Sequence, residues 1–197
     1  MASALEMEAC SPDWDRLFEI ALGQAGHFTT RQAAEAGYSP QLITHHMKAG
    51  RMIRVLRGVY RLVHFPAGEH EELAAIWLWS EREGVFSHMT ALALHDLSDA
   101  LPAQLHITLP EAWRKRRLRV PEGVVVHYGD IGDSERGWFG PAPVTAPLRT
   151  LKDCAASHVA PELLRAGALD ALARGLVERC ELDEIEKALE AFGGIGR

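Results

Sequence analysis

Residues 27–62, HFTTRQAAEAGYSPQLITHHMKAGRMIRVLRGVYRL, restrict the possible folds of this chain more than any other stretch. Thr29 or Thr30 supplies an N-cap for a short helix that runs to Ala36, and Gly37 ends it where a left-handed residue is needed. Ser39-Pro40 then opens a second helix, with a capping hydroxyl and a proline at its first position. That helix runs to about Ala49 and closes on Gly50. Only Gly37-Tyr38-Ser39 separates the two helices, a turn short enough for a helix-turn-helix. Beyond it, Met52-Ile53-Arg54-Val55 and Val59-Tyr60-Arg61-Leu62 flank Leu56-Arg57-Gly58, the pattern of two strands around a glycine-containing turn. A further helix precedes the stretch over about residues 13–24. Its Trp14, Leu17, Phe18, Ala21 and Leu22 recur at helical spacing as one apolar stripe. Helix, helix-turn-helix and hairpin in that order predict a winged helix-turn-helix over residues 13–64.

The charge of this piece supports that reading. Residues 27–64 hold six Lys or Arg (Arg31, Lys48, Arg51, Arg54, Arg57, Arg61) against one acid, Glu35, inside a chain of formal charge −6. A basic island on an acidic protein is the electrostatic footprint of a nucleic-acid-binding module. The second helix of the pair divides into two sides. Leu42, Ile43 and Met47 lie on one, with His46 beside them. Gln41, Thr44, His45 and Lys48 lie on the other, a donor-rich face that fits a major groove. Thr30 and Arg31 at the first helix, Arg51, and the hairpin's Arg54, Arg57 and Arg61 complete the expected DNA contacts. The hairpin arginines would hold the backbone and position the reading helix. A solvated helix face and charges that protect an edge strand are the plain alternatives for these same residues.

GHFTTRQAAEAGYS followed by LITHHMKAGRMIRVLRGVYRL resembles the N-terminal domain of the AbiEi family, antitoxins of bacterial toxin–antitoxin and phage abortive-infection systems. The resemblance rests on Gly26, Phe28-Thr29-Thr30, Ala33, Gly37, Gly50-Arg51 and Arg57-Gly58-Val59-Tyr60. FSHMTALALHDL (86–97), LHITLP (105–110) and VTAPLRTLKD (144–153) resemble the second half of longer AbiEi-type proteins. Relatives of this kind often carry a serine where this chain has Ala146 before Pro147.

A short disordered lead is expected over residues 1–12 and a linker at residues 64–68, so the second domain is expected over residues 69–197. It reads as mixed α/β, giving an α+β chain with a small sheet and C-terminal helices. A helix is expected over residues 71–82. Strands are expected at 105–109 and 124–128, with a third, short one inside 138–144. Leu163, Leu164, Leu169, Leu172, Ala173 and Leu176 supply one apolar helix face, and Leu182, Ile185, Leu189 and Phe192 another. The final GGIGR is expected to fray.

Several chemistries are excluded or disfavoured. Cys10, Cys154 and Cys180 are odd in number and lack finger spacing, so neither a disulfide framework nor a zinc finger is expected. Cys154 and Cys180 read as small core residues. His45 and His46 point about 100° apart on a helix and cannot share a metal. Ser87, His88 and His95 invite a catalytic reading, but no carboxylate or nucleophile turn accompanies them. A capping serine and buried histidines are expected instead. No acid-x-Lys pair of a nuclease core, phosphate loop or dinucleotide fingerprint occurs. No run of about 18 apolar residues and no basic leader occur, so neither a membrane span nor a signal peptide is expected. The densest charge run, Arg114-Lys115-Arg116-Arg117 with Arg119, is a solvated loop or a second patch for nucleic acid or an acidic partner.

The residues thus imply a DNA-binding, non-enzymatic cytoplasmic protein without cofactor. The resemblance implies an antitoxin that represses its own operon at promoter repeats of double-stranded DNA. It also implies a cognate nucleotidyltransferase-like toxin, opposed by direct contact or by its effect. The alternative is a transcriptional regulator with no toxin, whose second domain senses a ligand or dimerises.

Overall fold

The computed structural model describes residues 11–68, 70–99 and 101–196. It is α+β, and the chain divides into two compact units, Met1–Arg82 and Glu83–Arg197. Of the lead expected over residues 1–12, the first ten lie outside the described residues.

The first unit runs α1 (Trp14–Leu22), β1 (His27–Thr29), α2 (Thr30–Glu35), α3 (Pro40–Lys48), β2 (Met52–Leu56), β3 (Val59–Leu62) and α4 (Glu71–Trp79). The starts of α1, α2 and α3 are capped by side chains. Asp13 accepts from Arg16 N at 2.9 Å, and Ser39 Oγ accepts from Leu42 N at 3.2 Å. At α2, Thr29 Oγ1 accepts from Gln32 N while Gln32 Oε1 accepts from Thr29 N, a reciprocal capping box. The sheet is antiparallel in the order β1-β3-β2. Its first strand was not expected, since three residues are too few to show alternation. Leu17, Ala21, Phe28, Ala33, Ile43, Met52 and Leu62 form the core. Only Leu17 and Ala21 of the α1 stripe are fully buried, while Trp14, Phe18 and Leu22 remain partly exposed.

The second unit starts at Glu83 rather than at residue 69, because α4 packs on β1, β2 and β3. Leu73, Ala74, Ala75, Ile76 and Leu78 of α4 are buried. The second unit contains β4 (Val85–Phe86), α5 (His88–Leu94), β5 (Leu105–Leu109), β6 (Val124–Tyr128), β7 (Arg136–Phe139), β8 (Ala142–Thr145), α6 (Pro147–Ala156), α7 (Pro161–Ala173) and α8 (Asp183–Leu189). Its five strands lie in the order β6-β5-β4-β8-β7. The single strand expected inside 138–144 is a β7–β8 hairpin, with Trp138 paired to Pro143 and Phe139 to Ala142. Leu92, Leu151, Leu164, Ile185, Leu189 and Ile195 meet in the helical core.

Three expectations about this unit are corrected. On α7 Leu164, Ala168 and Ala171 are buried and Leu163 and Leu172 pack half-buried against the same core, while Leu169 faces solvent, as do Leu176 beyond the helix end and Phe192. Glycine-sized contact decides this: a Cβ on Gly167 would come within 3.0 Å of Leu92, so small residues mark the buried side. Cys180 is exposed in a 3-10 turn, whereas Cys154 is fully buried, its thiol pushed up to about 12 by burial. The tail is held through Gly194 and Ile195. Arg165 Nε donates to Gly194 O at 2.7 Å, Ile195 N donates to the Glu186 carboxylate, and the Ile195 side chain is buried. At Ala146 the missing hydroxyl leaves α6 without a side-chain cap, and Pro147 at the first turn removes one amide that would need a partner.

The turn from α1 into β1 is a point of close approach. Gly26 has φ +82°, and a Cβ there would sit 2.6–2.8 Å from the ring and Cβ of Phe65. Gly26→Ala combines a left-handed backbone with a clash against a side chain's root. We expect it to destabilise the first unit by about 2–4 kcal/mol, read as a lower urea midpoint; a midpoint matching the wild type would show that Phe65 can move away.

Candidate nucleic-acid interface

Helix α3 exposes the face that the sequence assigns to reading. Gln41, Thr44, His45 and Lys48 are exposed, Ile43 and His46 are buried, and Leu42 and Met47 are half-buried. The helix is fixed from beneath. Tyr38 N donates to Ala33 O at 2.8 Å across the turn, and Ala33, Ala36 and Tyr38 are buried between the two helices. His46 packs against Trp14 and Tyr38, and burial holds its pKa below the usual histidine value. The Thr44 hydroxyl donates to Pro40 O at 2.9 Å, so what it presents outward is a methyl and an acceptor oxygen.

The hairpin stands beside this pair. Its turn, Arg57-Gly58, has Gly58 at φ +79°, and a bulge lies between Arg54 and Leu56. Thr30 N donates to Gly58 O at 3.0 Å, which fastens the hairpin tip to the start of α2. Arg51, Arg54 and Arg57 are exposed, as are Thr30 and Arg31. Arg31 pairs with Glu35 at 3.3 Å, but both side chains lie mostly in water and the pair adds little.

Arg61 is not part of this surface. Its side chain is 11% exposed, pairs with Glu71 Oε2 at 2.8 Å and donates to Phe65 O at 3.0 Å. The alternation of the strand turns it toward α4, whose position the sequence did not reveal. Conversely, Ile53 and Val55 are exposed on β2 beside Arg54. As an edge strand covered on one side only, β2 leaves these apolar side chains at the hairpin surface.

The candidates in the second unit regroup. Ser87 is the N-cap residue of α5 but its hydroxyl makes no capping bond. Ser87 Oγ lies 2.7 Å from Thr108 Oγ1 and 2.8 Å from His88 Nδ1. His95 does not share a site with His88. It ends α5, and its Nε2 donates to Thr145 O at 2.7 Å. The partners of His88 are His106 and His127, which no sequence spacing connects. Parallel pairing of β5 and β6 brings their side chains together, with His106 Nδ1 3.0 Å from His127 Nε2. The His88 and His127 rings stack at 3.5 Å. Of the basic run, Arg114 forks onto Glu111 and lies 5.3 Å from the Tyr128 ring centre, and Arg116 lies 3.8 Å above the Trp113 ring. Lys115, Arg117 and Arg119 are exposed. Among the described residues no cluster of His, Cys, Asp or Glu has the geometry to hold a metal ion, and no helix is long and apolar enough to cross a membrane.

Residues 15–63 match the family model described as "Transcriptional regulator, AbiEi antitoxin". The resemblance drawn from the sequence holds over this segment, which contains α1 through β3 and so is similar to the winged-helix part of AbiEi-type regulators. No curated protein matches the chain. Among solved structures it is similar to the crystal structure of the RV2827C protein from Mycobacterium tuberculosis, at 14% identity and a TM-score of 0.47, over 92% of this chain and 77% of that one.

The buried histidines make a stability prediction. Burial, with His127, His106 and Arg149 nearby, pushes His88 down to about 3, and burial lowers His106 and His127. An unfolded histidine titrates near 6.5, so below that value protons bind the unfolded chain in preference. Stability is therefore full above about pH 6.5 and falls as pH drops toward 3. The contribution of His88 approaches about 1.4 kcal/mol per pH unit. Urea midpoints measured from pH 7.5 to 5.5 should fall, and His88→Gln should flatten that fall; an unchanged slope in the variant would mean that His88 protonates freely in the folded chain.

Proposed function

We propose that this chain is the DNA-binding antitoxin of a toxin–antitoxin pair. It represses its own operon through promoter repeats, and its second unit opposes a cognate nucleotidyltransferase-like toxin in the cytoplasm. The observation that carries the reading is the exposed polar stripe of α3 (Gln41, Thr44, His45, Lys48), flanked by the exposed arginines of the hairpin. It lies within the segment that matches the AbiEi regulator model.

In this reading Gln41 and Lys48 meet base edges or phosphates in the major groove, and His45 and Thr44 fill the contact between them. Arg54 and Arg57 hold the backbone next to it, with Thr30, Arg31 and Arg51 at the margins. The elevated positive charge of the module speeds its approach to DNA even though the chain as a whole is acidic. No acid/base pair of a nuclease is needed. The second unit acts as a partner-facing body, and Lys115, Arg117 and Arg119 give it a second cationic patch for nucleic acid or an acidic protein surface.

Gln41→Ala and Lys48→Ala should each weaken operator binding by about 1–3 kcal/mol where the side chain reads a base. Fluorescence anisotropy against the operator and a scrambled duplex separates the two cases, since a base contact is lost only on the operator. Arg57→Ala should weaken both duplexes and lower the salt slope by about 1. If affinity and slope both stay at wild-type values, the hairpin is not at the DNA. Arg61→Ala should leave the salt slope unchanged and instead lower stability by about 1–3 kcal/mol, because Glu71 loses its partner. Co-expression with the neighbouring gene tests the antitoxin role: a toxic neighbour whose host this chain fails to rescue ends that reading.

A further inference from the structure

Four polar nitrogens without a hydrogen-bond partner among the described residues surround one cavity of about 360 Å³ in the second unit. Arg149 and Arg114 line it from two different elements, together with His88, His127, Thr108, Val126, Tyr128 and the carboxyl of Asp153, whose Oδ2 is buried without a hydrogen-bond partner. Arg149 is held in place by its carboxylate partners. Its Nε donates to Asp153 Oδ1 at 2.8 Å and its Nη1 to Glu135 Oε2 at 2.9 Å, which leaves Nη2 uncommitted. Arg114 uses Nε and Nη2 on Glu111 and leaves Nη1. His88 is engaged only through Nδ1, with Ser87, and His127 only through Nε2, with His106. Their other ring nitrogens, Nε2 of His88 and Nδ1 of His127, make no hydrogen bond among the described residues.

This arrangement describes a ligand. Two guanidinium groups, Arg149 held between carboxylates and Arg114 forked onto Glu111 at the rim, bind a planar or tetrahedral oxyanion through charge-assisted bonds. Each guanidinium already has a carboxylate partner, and burial pushes the Asp153 carboxyl in the lining above the usual carboxylate range, so the pair suits one phosphate and not a long polyanion. Imidazoles with one nitrogen committed accept from, or donate to, a hydroxyl with the other. Burial keeps both rings in the neutral form that such a bond requires. The volume lies at the small end of ligand pockets, about 300–1,000 Å³. The exposed Lys115, Arg117 and Arg119 follow Arg114 in the chain and raise the local concentration of anions near the rim.

We propose that this cavity binds the phosphate monoester of a sugar or nucleoside, with the phosphate between Arg114 and Arg149 and a hydroxyl against His88 and His127. Sugar phosphates and nucleoside monophosphates share this chemistry. The site is separate from the α3 surface and does not rest on the DNA-binding reading.

Isothermal titration of the full chain with ribose 5-phosphate, adenosine 5′-monophosphate, inorganic phosphate and unphosphorylated ribose tests it. Expected is saturable one-to-one binding of at least one ester, no binding of ribose, and a preference for the ester over inorganic phosphate of about tenfold or more. Stronger binding of the monophosphate identifies a nucleoside as the source; stronger binding of ribose 5-phosphate identifies a sugar. Arg114→Ala, at an exposed position, and His127→Phe, which keeps a ring in the stack, should each weaken the ester about tenfold or more, and Arg149→Met should abolish it. If Arg149→Met does not fold, the first two variants decide. Lys48→Ala should bind the ester normally, which separates this site from the winged helix. The proposal is overturned by an absence of saturable heat with both esters, by esters binding no better than inorganic phosphate, or by undiminished binding in Arg114→Ala and His127→Phe.

Discussion

The first turn of α2 ties the first unit together. A helix begins with amides that have no partner inside it, and here each one that matters is met from a different direction. Gln32 answers the amide of Thr29, Thr29 answers that of Gln32, and Gly58 at the hairpin tip answers that of Thr30. One backbone hydrogen bond of 3.0 Å thus links the start of the helix-turn-helix to the end of the hairpin. Strand β3 then carries the link inward, since it pairs with β1 on one side and β2 on the other. Helix α3 and the basic hairpin are therefore placed by the same few bonds, and neither is a free appendage. Beneath them Gln24 and Gln32 exchange amide hydrogen bonds while fully enclosed, Gln32 Nε2 donating to Gln24 Oε1 at 2.8 Å. A buried polar pair so completely satisfied fixes the α1–α2 geometry more narrowly than apolar contact would.

Local chemistry made the winged helix legible. Thr29 and Ser39 are capping residues, Gly37 and Gly58 adopt positive φ, and the polar side of α3 is set by a 3.6-residue period. Each of these signals lies within a few residues of the feature that it specifies. What escaped the sequence depended on distant pairing. The three-residue β1 exists because β3 lies beside it, and Arg61 faces inward because α4 covers the sheet. Neither partner is visible from the residue itself.

The second unit shows the same division more sharply. The strands at 105–109 and 124–128 were readable from alternation, but nothing in either strand says that they pair in parallel. Only that register places Thr108 beside His127 and brings His106 to His127, so the histidine cluster is a property of topology. The α7 face misled for a different reason. Leucines at several positions suggested a broad apolar side; Leu164 is buried with Leu163 and Leu172 against it, but Leu169 faces solvent and Gly167, Ala168 and Ala171 share the buried side, where a Cβ on Gly167 would meet Leu92 at 3.0 Å.

The pair formed by Arg61 and Glu71 bears on how such proteins are assembled from modules. The residues from α1 to β3 look like a self-contained cassette that ends at Leu62. Yet the guanidinium of the last strand is completed by the first turn of α4, and the apolar side of that helix closes the far face of the sheet. A gene fusion that joined a foreign domain directly after Leu62 would leave a buried cation without its counter-charge and a sheet face open to water. The compact unit ends after Arg82, so a cut at the more obvious Pro66-Ala67-Gly68 joint would remove the helix that completes it.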